Sequence, residues 1–148
     1  METANKVYLG RVEMVPVSAS RPRVSGRVTY YSKKYAAYKA ELPWHIKKLG
    51  FRESDFANKY LSLCVVFGMP IAKSLTKKTK LEKGIATGRF CGGHIDVDNL
   101  LKGLMDCMFV EDCNVVSATA TKVWHGIGVG YIDIYYTVIN KDEAYVQL

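Results

Sequence analysis

Residues 96–106 read DVDNLLKGLMD, and the spacing of apolar residues in this stretch predicts a helix from which the rest of the fold can be placed. From Asp98 to Met108, apolar residues recur at i, i+3, i+4 and i+7, which is the spacing of one helix face. These residues are Leu101, Leu104, Met105 and Met108. Asp98, Lys102 and Asp106 fall at i, i+4 and i+8, so they share another face. The pattern predicts an amphipathic helix that carries two acids and a lysine away from its apolar side.

Charge divides the chain at about residue 90. Residues 1–90 hold eighteen Lys and Arg against six Asp and Glu, a balance of +12, whereas residues 91–148 hold three Lys against eight acids, a balance of −5. The two balances sum to the net charge of +7. The acids are concentrated where a divalent metal could be held, and the basic part could grip a polyanion. This division indicates a metal-dependent nuclease.

Three acids are candidate Mg²⁺ ligands: Asp96, Asp98 and Asp112. Mg²⁺ prefers oxygen ligands and keeps several waters, so a few carboxylates suffice beside a substrate phosphate. Asp96 and Asp98 point the same way if Val97 is extended. Asp112 can then join them once the helix has turned the chain back. Gathering three carboxylates without a metal is unfavourable because their charges repel, and that cost points to a function.

Each of these residues also has a structural interpretation that the sequence leaves open. An Asp before an apolar helical run is commonly a helix N-cap, which would account for Asp98 alone. Asp106 can form a local surface ion pair with Lys102, and Lys102 taken alone is typical of a surface lysine. The combination of these residues favours the catalytic interpretation.

The remaining pattern predicts one compact domain over residues 1–148. A chain of this length can bury one hydrophobic core, and no linker or repeat divides it. We expect an α+β fold in which a mixed β-sheet carries about two helices, in the approximate order β-α-β-α-β-β. Strands are expected at 6–15, with a bulge near Gly10, and in β-forming runs at 60–69, 115–124 and 128–139.

Residues 33–49 are expected to form the other helix. Ser32 is its candidate N-cap and Gly50 its stop signal. Pro43 and Trp44 interrupt the apolar pattern, so the helix could kink there or consist of two shorter pieces. The tail after residue 140 is expected to be loosely held.

Two basic segments are candidate DNA contacts. The first, ASRPRVSGRVTYYS at residues 19–32, contains Pro22 and Gly26 and is expected to form a loop or a short ribbon with exposed arginines. The second, residues 73–90, is expected to be a mobile loop or a frayed helix that orders on a phosphate backbone, or else a solvated surface with no partner. The candidate DNA-binding residues are Arg21, Arg23, Arg27, Lys33, Lys34, Lys73, Lys77, Lys78, Lys80 and Arg89.

Composition excludes several other classes. No apolar run approaches the roughly 18 residues of a membrane span, and the first ten residues lack the apolar core of a signal peptide. We therefore expect a cytoplasmic protein with no membrane partner and no organic cofactor. The four cysteines lack the paired short spacing of zinc or redox motifs, so reduced thiols are expected. A pI near 9.2 favours a nucleic-acid partner.

The acidic stretch resembles the signature of the RusA family of Holliday junction resolvases, which is common in phages and prophages. The family pattern is a D-x-D-N-L-x-K helix, then a later Asp, then an acidic pair. Here it reads Asp96 to Lys102, followed by Asp106 and by Glu111 and Asp112. The run SRPRVSGRVTYYSKKYAAYK is similar to the basic N-terminal region of the family. The resemblance covers about residues 7–123.

The resemblance implies a homodimeric, Mg²⁺-dependent endonuclease, with Mn²⁺ as a substitute metal, that cuts four-way DNA junctions by paired incisions in DNA recombination and repair. By motif position, Asp96, Asp98 and Asp112 are the implied metal ligands. Lys102 would lie beside the scissile phosphate as a point charge. Asp106 and Glu111 match accessory positions. A gene of phage or prophage origin, acting in the bacterial cytoplasm, is also implied.

Two positions depart from the family pattern. Residues 92–95 stand where many relatives have a Lys-Pro pair, and Glu111 replaces the usual first Asp of the acidic pair. His94 in this loop could bind a metal, act as a general base, or be a neutral loop histidine. Two other functions stay open: a non-catalytic basic DNA-binding module whose acids only cap and solvate a helix, and a metal nuclease that acts on flaps or single strands.

Overall fold

The computed structural model describes residues 5–20, 23–30, 32–93 and 95–143. The helices within these residues are α1 (Lys33–Lys48), α2 (Lys77–Glu82) and α3 (Val97–Met108). The strands are β1 (Val7–Val12), β2 (Arg23–Ser25), β3 (Val28–Tyr30), β4 (Lys59–Ile71), β5 (Val115–Ile127) and β6 (Tyr131–Asn140). Short 3₁₀ turns lie at Glu53–Phe56 and Lys141–Glu143. The predicted α+β class is confirmed, with two long helices and one short one.

The main sheet explains why the acidic stretch becomes a helix of the core. Its strand order is β1-β6-β4-β5, and β2 and β3 form a separate hairpin. β4 pairs antiparallel with β6 and parallel with β5. Parallel neighbours cannot be joined by a tight hairpin, so the chain must cross over between β4 and β5. Residues 72–114 make this crossover, and α3 is its main element.

The core lies between one face of β4 and the helices α1 and α3. Alternate residues of β4 from Leu61 to Phe67 are at most 2 % exposed, whereas the residues between them are half-buried. β4 therefore has one dry face, against which both long helices bury their apolar sides. At about 25 cal/mol per Å² of apolar surface, this burial is the main favourable contribution to folding.

The buried face of α3 agrees with the predicted one at Leu104 and Met108 and differs from it at Leu101 and Met105. Leu100 and Leu104 are fully buried, while Leu101 and Met105 are only half-buried. The helix begins at Val97 and is covered on a second side by residues 17–19. A Cβ atom at position 103 would lie 3.3 Å from the Val17 carbonyl oxygen, so Gly103 allows this close approach. Because residues 17–19 also pack against α3, the buried face of the helix is shifted towards Leu100.

Helix α1 confirms the predicted cap and resolves the question of Pro43. Ser32 Oγ accepts a hydrogen bond from the Tyr35 backbone N–H at 3.3 Å, as an N-cap should. Pro43 lies inside one continuous helix rather than between two pieces. Buried residues before and after the proline hold both halves on the core. These residues are Tyr35, Tyr38, Leu42 and Ile46.

The predicted bulge in β1 is confirmed. The pairing of β1 with β6 shifts register between Tyr8 and Gly10. Gly10 has a φ of 149°, and a Cβ atom there would lie 2.7 Å from Leu49 Cδ2. Glycine suits this position because L residues with a side chain rarely adopt this backbone conformation, and a Cβ atom would displace the Leu49 side chain.

The second basic segment contains a short helix fixed by local bonds. Thr76 caps α2 by accepting a hydrogen bond from the Thr79 N–H at 3.2 Å. After α2, backbone hydrogen bonds join residues 88–91 to Lys122 and Trp124 on the outer edge of β5. Mobility of the segment stays a prediction. The loosely held tail was predicted from residue 140, and residues 144–148 lie outside the described part.

Candidate functional site

Asp96 and Asp98 lie at the exposed N-terminal end of α3. Asp96 occupies the N-cap position with an extended backbone, but its side chain makes no capping hydrogen bond with the described residues. Asp98 Oδ1 accepts a hydrogen bond from the Asn99 N–H at 2.9 Å. The argument from an extended Val97 was wrong, because Val97 is the first helical residue. Both carboxylates nevertheless belong to one exposed turn and keep oxygen atoms free for a cation.

Strand β5 fixes the position of Asp96. Lys122 Nζ donates a hydrogen bond to the Ile95 carbonyl oxygen, one residue before Asp96. The Cys91 N–H donates to the Lys122 carbonyl oxygen at 3.0 Å, and the Trp124 N–H donates to the Arg89 carbonyl oxygen at 2.9 Å. The loop that leads into α3 is therefore hydrogen bonded to both the backbone and a side chain of β5. His94, in the same loop, lies outside the described residues.

Lys102 and Asp106 follow on the exposed face of α3, as predicted. Within the described ranges, the ion pairs are Arg11–Asp133 and His45–Glu41, so Lys102 and Asp106 do not form one. The interpretation of Asp106 as the salt-bridge partner of Lys102 therefore has no support. Lys102 is one turn from Asp98, and its ammonium group can reach an anion bound at this end of the helix.

Asp112 lies beyond the other end of α3. The twelve residues of α3 span about 18 Å, and Asp112 follows its last residue by four positions. Strand β5 gives a second estimate of the distance between Asp96 and Asp112. Ile95, next to Asp96, accepts a hydrogen bond from Lys122, whereas the Asp112 carbonyl oxygen accepts one from the Val115 N–H. The seven steps between Val115 and Lys122 correspond to about 23 Å. Within one chain, Asp112 and Asp96 are therefore roughly 20 Å apart.

The predicted convergence of three carboxylates within one chain is therefore not observed. Across the described residues, no group of three or more His, Cys, Asp or Glu side chains could hold a metal ion. The expectation that α3 turns the chain back towards Asp96 was mistaken, because the chain continues into β5 at the far end. The assignment of Asp96, Asp98 and Asp112 as metal ligands stays a prediction that one chain alone does not satisfy.

Glu53 is a residue of this region that the sequence did not suggest. Its Oε2 accepts a hydrogen bond from the Val110 N–H at 2.9 Å, and its Oε1 accepts one from the Glu111 N–H at 3.2 Å. The carboxylate thus holds the loop that carries Glu111 and Asp112, both of which are exposed. A lone acid in a short 3₁₀ turn gives no sequence signal, since its partners are backbone groups 57 and 58 residues away.

The first basic segment starts beside α3. The Ala19 N–H donates a hydrogen bond to the Asn99 carbonyl oxygen at 3.0 Å, which fixes the base of the β2–β3 hairpin. Arg27 lies exposed in the turn of this hairpin. The predicted contacts at Arg21 and at the Arg23 side chain lie outside what the structure describes. Lys33 and Lys34 are exposed on the first turn of α1.

The second basic segment is exposed along most of its length. Of its predicted contact residues, Lys80 is half-buried and the others are exposed, namely Lys73, Lys77, Lys78 and Arg89. Its end at Arg89 pairs with β5 and leads directly into residues 90–95. Positive side chains therefore occupy the approach to the N-terminal end of α3, where Asp96 and Asp98 lie. Their role in DNA binding stays a prediction.

Arg11 and Asp133 form a polar pair that the sequence also did not reveal. Arg11 Nε and Nη2 donate to Oδ1 and Oδ2 of Asp133 at 2.9 and 2.8 Å, and the Tyr8 hydroxyl donates to Oδ1 at 2.9 Å. Partial burial alone would raise the pKa of Asp133. The hydrogen bonds from Arg11 and Tyr8 outweigh it and hold that pKa below its usual range. This pair joins β1 to β6 on the sheet.

The described structure thus places exposed acids at the N-terminal end of α3 and exposed basic residues in the two segments that lead to it. Comparison with protein-family models gives a match to the model described as Endodeoxyribonuclease RusA over residues 13–135. This match spans most of the 148 residues, and the chain belongs to the RusA endodeoxyribonuclease family. A search of curated proteins gives no match. In the part of the chain that is described, no helix is both long and apolar enough to span a membrane.

Family membership supports a nuclease. The sequence resemblance to RusA proteins is thereby confirmed.

Proposed function

We propose that this protein is a metal-dependent, structure-specific DNA endonuclease that resolves four-way junctions by paired, symmetric phosphodiester hydrolysis. The observation that carries the proposal is the exposed end of α3, where Asp96, Asp98 and Lys102 lie within about two turns in a chain of this family. Basic residues flank this end on two sides. Such an arrangement suits a phosphodiester, because carboxylates can bind a cation while lysines and arginines bind the backbone.

The proposed cofactor is Mg²⁺, with Mn²⁺ as a substitute. Asp96 and Asp98 supply the hard oxygen donors that Mg²⁺ prefers, and two carboxylates with a substrate phosphate are a common set for this ion. When bound, the ion supplies a nucleophile at neutral pH and charge stabilisation for the displacement. Lys102 would stabilise the negative charge that develops on the phosphate. Asp106 and Glu111 are proposed only as accessory residues.

We further propose that Asp112 reaches this site from a second copy of the chain. Asp112 of the same chain is too far from Asp96 and Asp98 to join them. A site built from all three acids therefore needs two chains. A two-fold dimer would then contain two such sites, as paired incision of a symmetric junction requires. This arrangement explains why the motif residues are shared between the two ends of one helix.

The outer edge of β5 is the surface that we propose for this dimer. Within the described residues, backbone hydrogen bonds on this edge involve Lys122 and Trp124, which leaves residues 115–121 open for pairing. Residues 116–119 are exposed on both faces of the strand. An unpaired strand edge is a template for a second strand. A two-fold axis at Ala118 would set Asp112 of one copy opposite Trp124 of the other, next to the loop that leads into Asp96.

Three substrates, each with Mg²⁺ or with EDTA, test the proposed activity. A synthetic four-way junction, a plain duplex and a flap are incubated with the wild-type protein and with Asp98→Asn. Symmetric incisions on the junction, present only with Mg²⁺ and lost in the variant, are expected. Cleavage of the flap or of single strands in preference to the junction would favour the alternative nuclease. Binding without cleavage of any substrate would favour a non-catalytic DNA-binding module.

A further inference from the structure

An open cleft of about 540 Å³ lies directly beside the candidate site. We call it the aromatic cleft, and its walls include Met69, Leu75, Lys83, Phe90, Ile95 and Trp124. Ile95 is the residue before Asp96, so one end of the cleft adjoins the first carboxylate of the motif. A volume of this size is within the range of pockets that bind small organic groups.

The Phe90 side chain is presented to solvent by a fixed backbone. Phe90 is 82 % exposed, although Arg89 and Cys91 on either side of it are hydrogen bonded to β5. Phe90 itself forms a bridge with Val123. Residues 89–91 thus act as a short additional strand, and the ring is held in place without being buried. The exposed ring extends the apolar wall of an open cleft, and a largely apolar cleft with a few polar groups is a common type of ligand site.

Charge selects the kind of molecule that this cleft would bind. Lys83 and Lys122 also line it, and Arg89 lies next to Phe90. No Asp or Glu lies among the described lining residues. An aromatic surface with cationic residues around it matches a nucleotide, since the base can stack and the phosphate is anionic. An apolar protein segment would offer no anionic partner to Lys83 and Arg89, whereas Lys122 already donates to the Ile95 carbonyl oxygen.

We propose that the aromatic cleft binds one unstacked nucleobase, that of a nucleotide next to the scissile phosphate. The inference rests on the proposed junction cleavage and specifies how the substrate is held there. Stacking on Phe90 and Trp124 would fix the strand so that the adjoining phosphate lies at Asp96 and Asp98. A four-way junction offers such bases at low cost, because base pairs at the branch point are the easiest to unstack.

The test combines a protein variant with a matched change in the DNA. Phe90→Ala should lower kcat/KM for junction cleavage about 5- to 150-fold, the range that loss of one stacked base gives. Leu81→Ala is the control, because Leu81 is 84 % exposed in the same basic segment and does not line the cleft. A junction that lacks the base next to the mapped incision should slow the wild-type protein similarly. On that abasic junction, Phe90→Ala should cause no further loss.

A second measurement does not depend on cleavage. The chain has two tryptophans, so Trp44→Phe leaves Trp124 as the only one, and Trp124→Phe leaves Trp44. In EDTA, junction DNA should quench the fluorescence of Trp124 but not that of Trp44. Quenching of Trp124 by a protein that cleaves none of the substrates would support base binding in the cleft and reject the proposed function. Cleavage without quenching would reject the cleft alone.

Three further outcomes would overturn the inference. The first is that Phe90→Ala behaves like Leu81→Ala, and the second is that its defect persists in full on the abasic junction. The third is that Phe90→Ala dissociates the protein into single chains in sedimentation experiments while junction DNA fails to quench Trp124 in the wild-type protein. The cleft would then be covered by a second copy of the chain rather than by DNA.

Discussion

Lys122 Nζ donates a hydrogen bond to the carbonyl oxygen of Ile95, and this contact joins the middle of strand β5 to the residue that precedes Asp96. Lys122 is half-buried, so the bond is partly shielded from water. A charged donor at a backbone carbonyl is stronger than a neutral one. The sheet therefore sets the start of α3 and, with it, the direction of the two adjacent carboxylates.

We expect Lys122→Met to impair catalysis more than DNA binding. Loss of a hydrogen bond from a charged group is worth about 1.5–3 kcal/mol, so a fall in kcat of at least about 10-fold is expected if the loop carrying Asp96 loosens. Single-turnover cleavage and filter binding separate the two effects. Lys78→Met is the control, since Lys78 is exposed on α2 and should affect binding alone. Equal losses of binding in both variants would contradict a positioning role.

Mixed dimers test whether Asp112 acts in trans. Asp98→Asn and Asp112→Asn should each be inactive as homodimers. After subunit exchange, a mixed dimer contains one site with both defects and one intact site. Nicking of single strands should return to about a quarter of the wild-type rate, because half of the dimers are mixed and each has one intact site. No recovery, with subunit exchange verified, would place the complete site within one chain.

Glu53→Ala should act at a distance through the loop that carries Asp112. The substitution removes the acceptor of the Val110 and Glu111 N–H groups, and because both residues are exposed and water can replace it, the cost in stability is only about 1 kcal/mol. Junction cleavage should fall while the structure at the other end of α3 is retained. Asp55→Ala, in the same 3₁₀ turn, is the control because Asp55 is exposed. A variant as stable and active as this control would show that Glu53 is dispensable.

The Arg11–Asp133 pair should make stability depend on pH in the acid range. The pKa of Asp133 is lowered in the folded protein, so its contribution is present above the unfolded pKa of about 3.9 and is lost as the pH falls through the folded value. The free energies of urea unfolding of the wild-type protein and Asp133→Asn should differ most above about pH 5 and should begin to converge only as the pH falls below about 4. Asp142→Asn, at an exposed position, should leave the curve unchanged. A constant difference down to about pH 2 would reject this linkage.

Salt dependence tests the second basic segment. Lys77 and Lys78 are exposed on α2, and each phosphate contact contributes about 0.9 to the slope of log affinity against log salt concentration. The double Ala variant should therefore reduce that slope by about 2 and weaken binding to junctions of every sequence alike. The charge-matched control is the double Ala variant of Lys47 and Lys48, which are exposed at the C-terminal end of α1. An unchanged slope would remove α2 from the DNA-binding surface.

Local patterns along the chain predicted the elements well. Ser32 as an N-cap, the bulge at Gly10 and the α+β class are confirmed, because each depends on a few neighbouring residues and on the alternation of apolar side chains. The ends of strands were less well predicted. β5 continues to Ile127 and β4 to Ile71, since pairing with neighbouring strands extends them beyond their own apolar runs.

Contacts between distant residues could not be predicted in this way. Glu53, Lys122 and Phe90 give no local signal, because their partners are fixed only when β4, β5 and the crossover have assembled. The buried face of α3 was also displaced. Its apolar periodicity is set by the sequence, but the packing of residues 17–19 against Gly103 decides which side becomes dry.

The order of residues along the chain was sufficient to predict the family, the α+β class and the residue types of the candidate site. Those features depend on residue identity and on spacing within a few turns, which the chain carries whatever its fold. Tertiary structure alone decided that the chain continues from α3 into β5 and does not bring Asp112 back to Asp96. The physical reason is that β4 and β5 are parallel, so the crossover helix must carry the chain across the length of the sheet before β5 can begin.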